Sequence, residues 1–163
     1  MPDKQFVDRQ ARVRIDLPSG WVLLKRDNPL IPPADSKEAK MVALHQGSGC
    51  LAMLFVMDNI TSQNYFDEFL ANLKSEGRKN ETNATELERH SVTFGGIGGR
   101  RAKLTVTDKS GSTSILYITG APNNKRFYFL TGEVESHYAE DGLRAFIDLE
   151  KSFSIIISDA GSK

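Results

Sequence analysis

The chain is poor in the residues that usually announce chemistry. Cysteine occurs once, as Cys50, so no disulfide forms within the chain and cysteine usage gives no sign of redox compartment. Set inside the apolar run from Cys50 to Met57, with no cation beside it in sequence, that thiol reads as a small buried hydrophobe. Histidine occurs three times, as His45, His90 and His137, without His-x-x-x-His or Cys-x-x-Cys spacing, so no zinc site is written into the sequence. Neither sign of charge is in excess: 21 Lys and Arg balance 21 Asp and Glu, and no global field steers the chain toward nucleic acid or an anionic membrane. No apolar run approaches the ~20 residues that span a bilayer, and Met1-Pro2-Asp3-Lys4-Gln5 holds no apolar signal core. The localisation stays open: soluble and cytoplasmic as the sequence is written, exported if a leader or anchor has been removed.

What is present is enough for one core. At 163 residues, with 39% apolar and 26% charged, the sequence predicts a single globular domain over 1–163, its core over about 12–157 and its ends flexible. Period-two alternation puts Val13, Ile15 and Leu17 on one face of a strand, and Pro18-Ser19-Gly20 turns the chain into a second strand from Trp21, predicting a hairpin. Residues 27–40, with Asn28-Pro29 and Pro32-Pro33, read as a long surface loop. Met41–Leu44 and 50–57 pair across Gly47-Ser48-Gly49, and the second run is apolar on both alternating sets, which demands cover on both sides.

Tyr65, Phe66, Phe69, Leu70 and Leu73 stand at helical spacing over 63–77, with Thr61 or Ser62 as cap and Gly77 as stop. Residues 78–90 read as polar, looping into an exposed strand start, after which Ser91-Val92-Thr93-Phe94 leads to the glycine turn. Strands follow at 101–107, 114–119 and 126–131, the last apolar on both faces and therefore central. A second helix capped by Ser136 gathers Tyr138, Leu143, Phe146, Ile147 and Leu149, and Phe153–Ile157 closes the fold as a strand, with a frayed tail from Ser158. The economical solution is an α+β fold, an antiparallel β-sheet flanked by helices on both faces.

The Leu17-Pro18-Ser19-Gly20-Trp21 turn near the start, the Gly95–Gly99 turn before a long meander, and Ser152-Phe153-Ser154 after the last helix together resemble the PsbP-like family, which includes the Mog-type Ran-binding proteins. The likeness covers roughly residues 12–157. It implies an α-β-α sandwich and a non-enzymatic role: plant members are accessory subunits of a photosynthetic complex, Mog-type members bind a small GTPase, and many bacterial relatives are lipoproteins. No set of partner-binding or metal-binding residues from either branch matches here, so no functional residue carries over.

Several groups invite a functional reading. Gly95-Gly96-Ile97-Gly98-Gly99-Arg100-Arg101 suggests a phosphate loop, but it opens a strand and lacks both the G-x-G-x-x-G and the Gly-Lys-Ser/Thr patterns, so a hairpin at positive φ is expected. Arg12, Arg14, Arg100, Arg101 and Lys103 form a basic ribbon for an acidic protein partner if the first strand and the post-glycine strand share an outward face; otherwise they are solubilising charges on exposed strands. Nucleic acid is not expected there, because no aromatic residue interleaves with those charges. Glu133, Glu135, Glu140 and Asp141 complement the dipole at the start of the second helix. Phe66, Phe69, Tyr117, Phe127, Tyr128 and Phe129 either pack a core or line a cavity between the first helix and the sheet. No nucleophile elbow surrounds a serine, so neither a catalytic residue nor a cofactor is expected. The sequence therefore points to a binding or accessory module for a protein partner, with a carrier of a small apolar ligand as the alternative.

Overall fold

The computed structural model describes residues 4–31 and 38–156. In chain order the elements are β1 (Gln5–Asp8), β2 (Val13–Asp16), β3 (Trp21–Leu23), β4 (Met41–His45), β5 (Leu51–Met57), α1 (Tyr65–Lys79), β6 (Asn83–Phe94), β7 (Ile97–Thr107), β8 (Thr113–Asn123), β9 (Arg126–Glu135), a 3-10 turn (Ser136–Tyr138), α2 (Ala139–Lys151) and β10 (Phe153–Ile155). Seven of the strands form one antiparallel sheet in the order β3-β4-β5-β9-β8-β7-β6.

The two runs without a polar face, β5 and β9, lie side by side in its middle. Their alternating residues divide between two cores: Ala52, Leu54, Tyr128 and Leu130 on one face, Phe55, Phe127 and Phe129 on the other. Helix α1 covers the second face through Phe66 and Leu70, and α2 covers the first through Ala145, Phe146 and Leu149. At about 1.5–3 kcal/mol for each fully buried large apolar side chain, these stripes outweigh the weak intrinsic stability of helices this short. The sheet flanked by helices on both faces is the predicted α+β fold.

Glycines let α2 sit close to the sheet. A Cβ at Gly142 would come within 2.8 Å of Val134, and one at Gly132 within 2.4 Å of the Phe146 ring. Gly95 and Gly96, at φ 65° and 85°, form the two-residue turn between β6 and β7, so the glycine motif is a hairpin.

Some expectations are overturned. Strands β2 and β3 are not a hairpin: β2 pairs with β1 and β10 in a separate three-stranded sheet, whereas β3 pairs with β4. Gly20, at φ 90°, turns the chain, but Val13 and Ile15 are fully buried against Phe153 and Ile155 on the α2 side, so the chain changes layers there. The N-terminal segment supplies β1, which pairs antiparallel with β2. Residues 83–90 belong to β6, a long edge strand blunted by charged side chains and a register shift between Glu86 and Glu88.

Helix α1 begins at Tyr65 without a side-chain cap; Ser62 accepts the Asn64 N–H and donates to Glu68, and Gly77 lies inside the last turn. Ser136 opens the 3-10 turn and donates to the Thr113 carbonyl, and Tyr138 is exposed rather than part of the buried stripe. Residues 32–37 of the expected loop, Ile157 and the expected frayed tail lie outside the described residues.

Candidate binding groove

Helix α1 is fixed at one end of its face of the sheet. Phe69 stacks on Phe129 with ring centroids 3.9 Å apart, and Tyr65 tilts against Phe127 at 5.4 Å. From the neighbouring β6, Arg89 presents Nε and Nη2 to both oxygens of Glu86 at 2.7 and 2.9 Å, reaches Asp67 on α1, and lies over the Phe66 ring at 5.2 Å. These charge-assisted bonds hold the Asp67 and Glu86 carboxyls below their ordinary values of 3.8 and 4.5 and push the guanidinium upward.

That anchorage leaves part of the apolar face uncovered. Between α1 and β5 lies an open groove of about 350 Å³, walled by Met53, Phe55, Met57, Phe69, Leu73 and Leu116. Met53, Met57, Phe69, Leu73 and Leu116 are each only partly buried, so the groove is a continuous apolar surface reachable from solvent. Three carboxylates from separate parts of the chain stand at its rim: Glu38, Glu76 and Glu133. Glu76 is 3.2 Å from Lys79, and Glu133 accepts the Ser114 hydroxyl at 2.6 Å. The groove offers van der Waals contact to an apolar body and negative charge to its flanks.

Of the two readings of the six aromatic residues, core packing describes most of them. Phe66 and Phe69 of α1 pack with Phe127 and Phe129 of the sheet in one core, Tyr117 and Tyr128 belong to the opposite core, and Phe69 alone of the six walls the groove. Met53, Met57, Leu73 and Leu116 escaped sequence reasoning. Their signal was the spacing of Met53, Phe55 and Met57 on alternate residues of a strand that is apolar throughout. Of the four acids expected at the second helix, Glu140 and Asp141 lie in the first turn of α2, while Glu133 and Glu135 belong to β9.

The five basic residues do not form one ribbon. Alternation along β7 turns Arg100 toward the α1 side, and Arg101 and Lys103 toward the α2 side. Arg101 Nη1 is spent on Glu150 of α2, at 2.9 and 3.1 Å from its two carboxylate oxygens, while Thr119 donates to the same carboxylate at 2.5 Å. Arg14 lies on the separate small sheet, 3.4 Å from Asp16, and Arg12 stands exposed in the β1–β2 turn. His45 sits in the β4–β5 hairpin beside Ser48 at 2.8 Å; among the described residues no three His, Cys, Asp or Glu side chains gather as a metal site. No helix among the described residues is long and apolar enough to cross a membrane.

No protein-family model matches the sequence, and no curated protein does. Solved structures do. The solution structure of cyanobacterial PsbP from Synechocystis aligns with a TM-score of 0.63 at 10% identity, covering 93% of this chain and 91% of that one. The Saccharomyces cerevisiae Ran-binding protein Mog1p aligns with the same TM-score of 0.63 at 9% identity, covering 96% and 97%. LpqN of Mycobacterium tuberculosis, involved in cell envelope biogenesis, aligns at 0.56 with 12% identity, covering 88% and 82%. The fold is shared. At such identities the likeness extends to the fold alone, and it agrees with the resemblance drawn from the sequence.

Proposed function

We propose that this protein is a non-catalytic binding module that takes an apolar, cation-flanked peptide segment of a partner protein into the groove between α1 and β5. One observation carries the reading: an open apolar groove of about 350 Å³ whose rim is carboxylate from three separate segments. An apolar surface of this shape gives affinity without direction, and the rim charges supply the selection, since a segment flanked by Lys or Arg is drawn to Glu38, Glu76 and Glu133 while an acidic one is repelled. One fold neighbour supports the class of role: Mog1p is a Ran-binding protein.

The volume of the groove also favours a second reading, a carrier of a small neutral apolar molecule. A fatty acid fits poorly, because its carboxylate would meet the rim acids. The test is a titration of methyl-labelled protein with a synthetic amphipathic peptide of alternating Lys and Leu. Saturable shifts at the Met53 and Met57 methyls, lost when Glu38 and Glu133 are changed to Lys, support the peptide reading. Shifts produced by a neutral hydrocarbon probe but not by the peptide transfer the site to the carrier reading.

A further inference from the structure

At the other end of β9, the β1–β2 turn, the β8–β9 hairpin and the end of β10 with Ile156 enclose a cleft of about 370 Å³. Arg12, Arg126, Asn123 and Asn124 line it, above Ile155 and Ile156 with Tyr128 behind. Its frame is fixed from several sides. The Tyr128 hydroxyl donates to the Ala11 carbonyl at 2.9 Å, Arg126 Nη1 donates to the Gln10 carbonyl at 2.8 Å, and the Ile156 N–H donates to the Arg12 carbonyl at 2.8 Å. Arg126 Nε also lies 2.9 Å from the Asp58 carboxylate, which orients its guanidinium.

Within that frame Arg12 shares a left-handed backbone with Asn124 and Lys125, at φ 50° and 64°. Its backbone sits at φ 61°, a region that side chains other than those of Gly, Asn and Asp seldom adopt. Its guanidinium is exposed, and neither it nor the side chains of half-buried Asn123 and exposed Asn124 make a hydrogen bond or ion pair among the described residues. Glycine would serve the turn with less strain, and Arg12 instead places a guanidinium at the mouth of the cleft. Arg9 and Lys125 are exposed in the same two turns, so with Arg12 and Arg126 four cations stand there among the described residues against the carboxylates of Asp8 and Asp58. The local field is therefore positive in a chain whose total charge is zero.

We propose that this cleft binds a carboxylate-bearing peptide segment, with the carboxylate set between Arg12 and Arg126, the asparagine amides engaging the peptide backbone, and a neighbouring aliphatic side chain resting on Ile155 and Ile156. Planar guanidinium groups match a carboxylate, and free amides match a peptide bond. The aliphatic floor suits a peptide better than a nucleic acid, whose bases would need exposed aromatic faces; Tyr128 is buried. This site is separate from the groove beside α1 and does not depend on it.

The experiment is a titration of 15N-labelled protein with a blocked peptide alternating Glu and Leu, with its Gln counterpart, and with inorganic phosphate. The Glu peptide should saturably shift the amides of Arg12, Asn123, Asn124 and Ile156, with at least tenfold weaker binding of the Gln peptide. Arg12→Gly should keep or raise the unfolding midpoint, because glycine accepts the turn's φ, while weakening the Glu peptide at least tenfold. If that variant does not fold, Arg12→Asn, also tolerant of the left-handed region, supplies the same comparison. Equal binding of the two peptides, or undiminished binding after loss of the guanidinium, overturns the proposal. Tighter saturation of the same amides by inorganic phosphate than by the Glu peptide also overturns it and assigns the cleft to a phosphate anion.

Discussion

Arg101 of β7 and Glu150 of α2, 49 residues apart in sequence, meet at 2.9 Å with both side chains largely withdrawn from water, 18% and 6% exposed. Thr119 completes the cluster by donating to the same carboxylate. The pair ties the second helix to the sheet at the end opposite the close approach of Gly142 to Val134.

Removing one partner leaves a buried charge without its counterion. Arg101→Ala or Glu150→Ala should lower stability by roughly 3–5 kcal/mol, whereas Arg101→Met combined with Glu150→Leu should recover most of that loss. Urea unfolding of the two single variants and the double variant decides it. Equal losses in all three would show that packing, and not the orphaned charge, sets the cost.

The Arg89 cluster predicts a dependence on acid. Its bonds lower the Asp67 and Glu86 carboxyls in the folded state, so their contribution is present above the ordinary values of 3.8 and 4.5 and is lost as pH falls through the lowered ones. Arg89→Leu should therefore cost more stability at about pH 6 than at about pH 3. Asp67 is half exposed, so its share should shrink in ~1 M salt while that of the more sheltered Glu86 persists. A cost that does not change with pH would assign Arg89 to packing on Phe66 alone.

Burial, and secondarily the charge of Glu133, pushes the Cys50 thiol up to about 12. With no exposed surface and almost no thiolate near neutral pH, it should resist a thiol reagent in the folded protein and react promptly in denaturant. Labelling rates with and without urea measure this. Fast labelling of the native state would mean that the α2 face opens readily.

The groove should separate stability from binding. Met53 and Met57 are only partly buried, so alanine at either should cost about 1 kcal/mol, less than the ~2–5 of a fully buried methionine. Each should weaken the Lys and Leu peptide severalfold. Phe69→Ala should fail on both counts, because it also loses the stack on Phe129. Thermal melts beside fluorescence titrations make the comparison.

The layers of this fold were legible because β5 and β9 carry apolar residues on both faces, a pattern that only a strand covered above and below can bear. The Gly95-Gly96 turn was legible too, since two successive glycines between strands favour the two positive φ angles of a tight hairpin. The partner of β2 was not. A turn at Pro18-Ser19-Gly20 gives the bend, but β2 closes against β10, which arrives only after α2, and no local pattern records that return. The basic residues misled because Arg100 and Arg101 look adjacent in sequence while a strand sends neighbours to opposite faces. The groove was hidden for a related reason: helical periodicity names the residues α1 buries but not how far along the sheet the helix docks, and that offset decides which of Met53, Met57 and Leu116 stay uncovered.

The central claim, that the α1 groove selects an apolar segment by its flanking cations, is tested most directly by fluorescence anisotropy with two peptides of the same Leu spacing, one carrying Lys and the other Gln. The Lys peptide should bind at least tenfold tighter at low salt and converge on the Gln peptide as salt rises. Equal affinities at low salt, or binding of the Lys peptide that survives Glu38→Lys with Glu133→Lys, would contradict it.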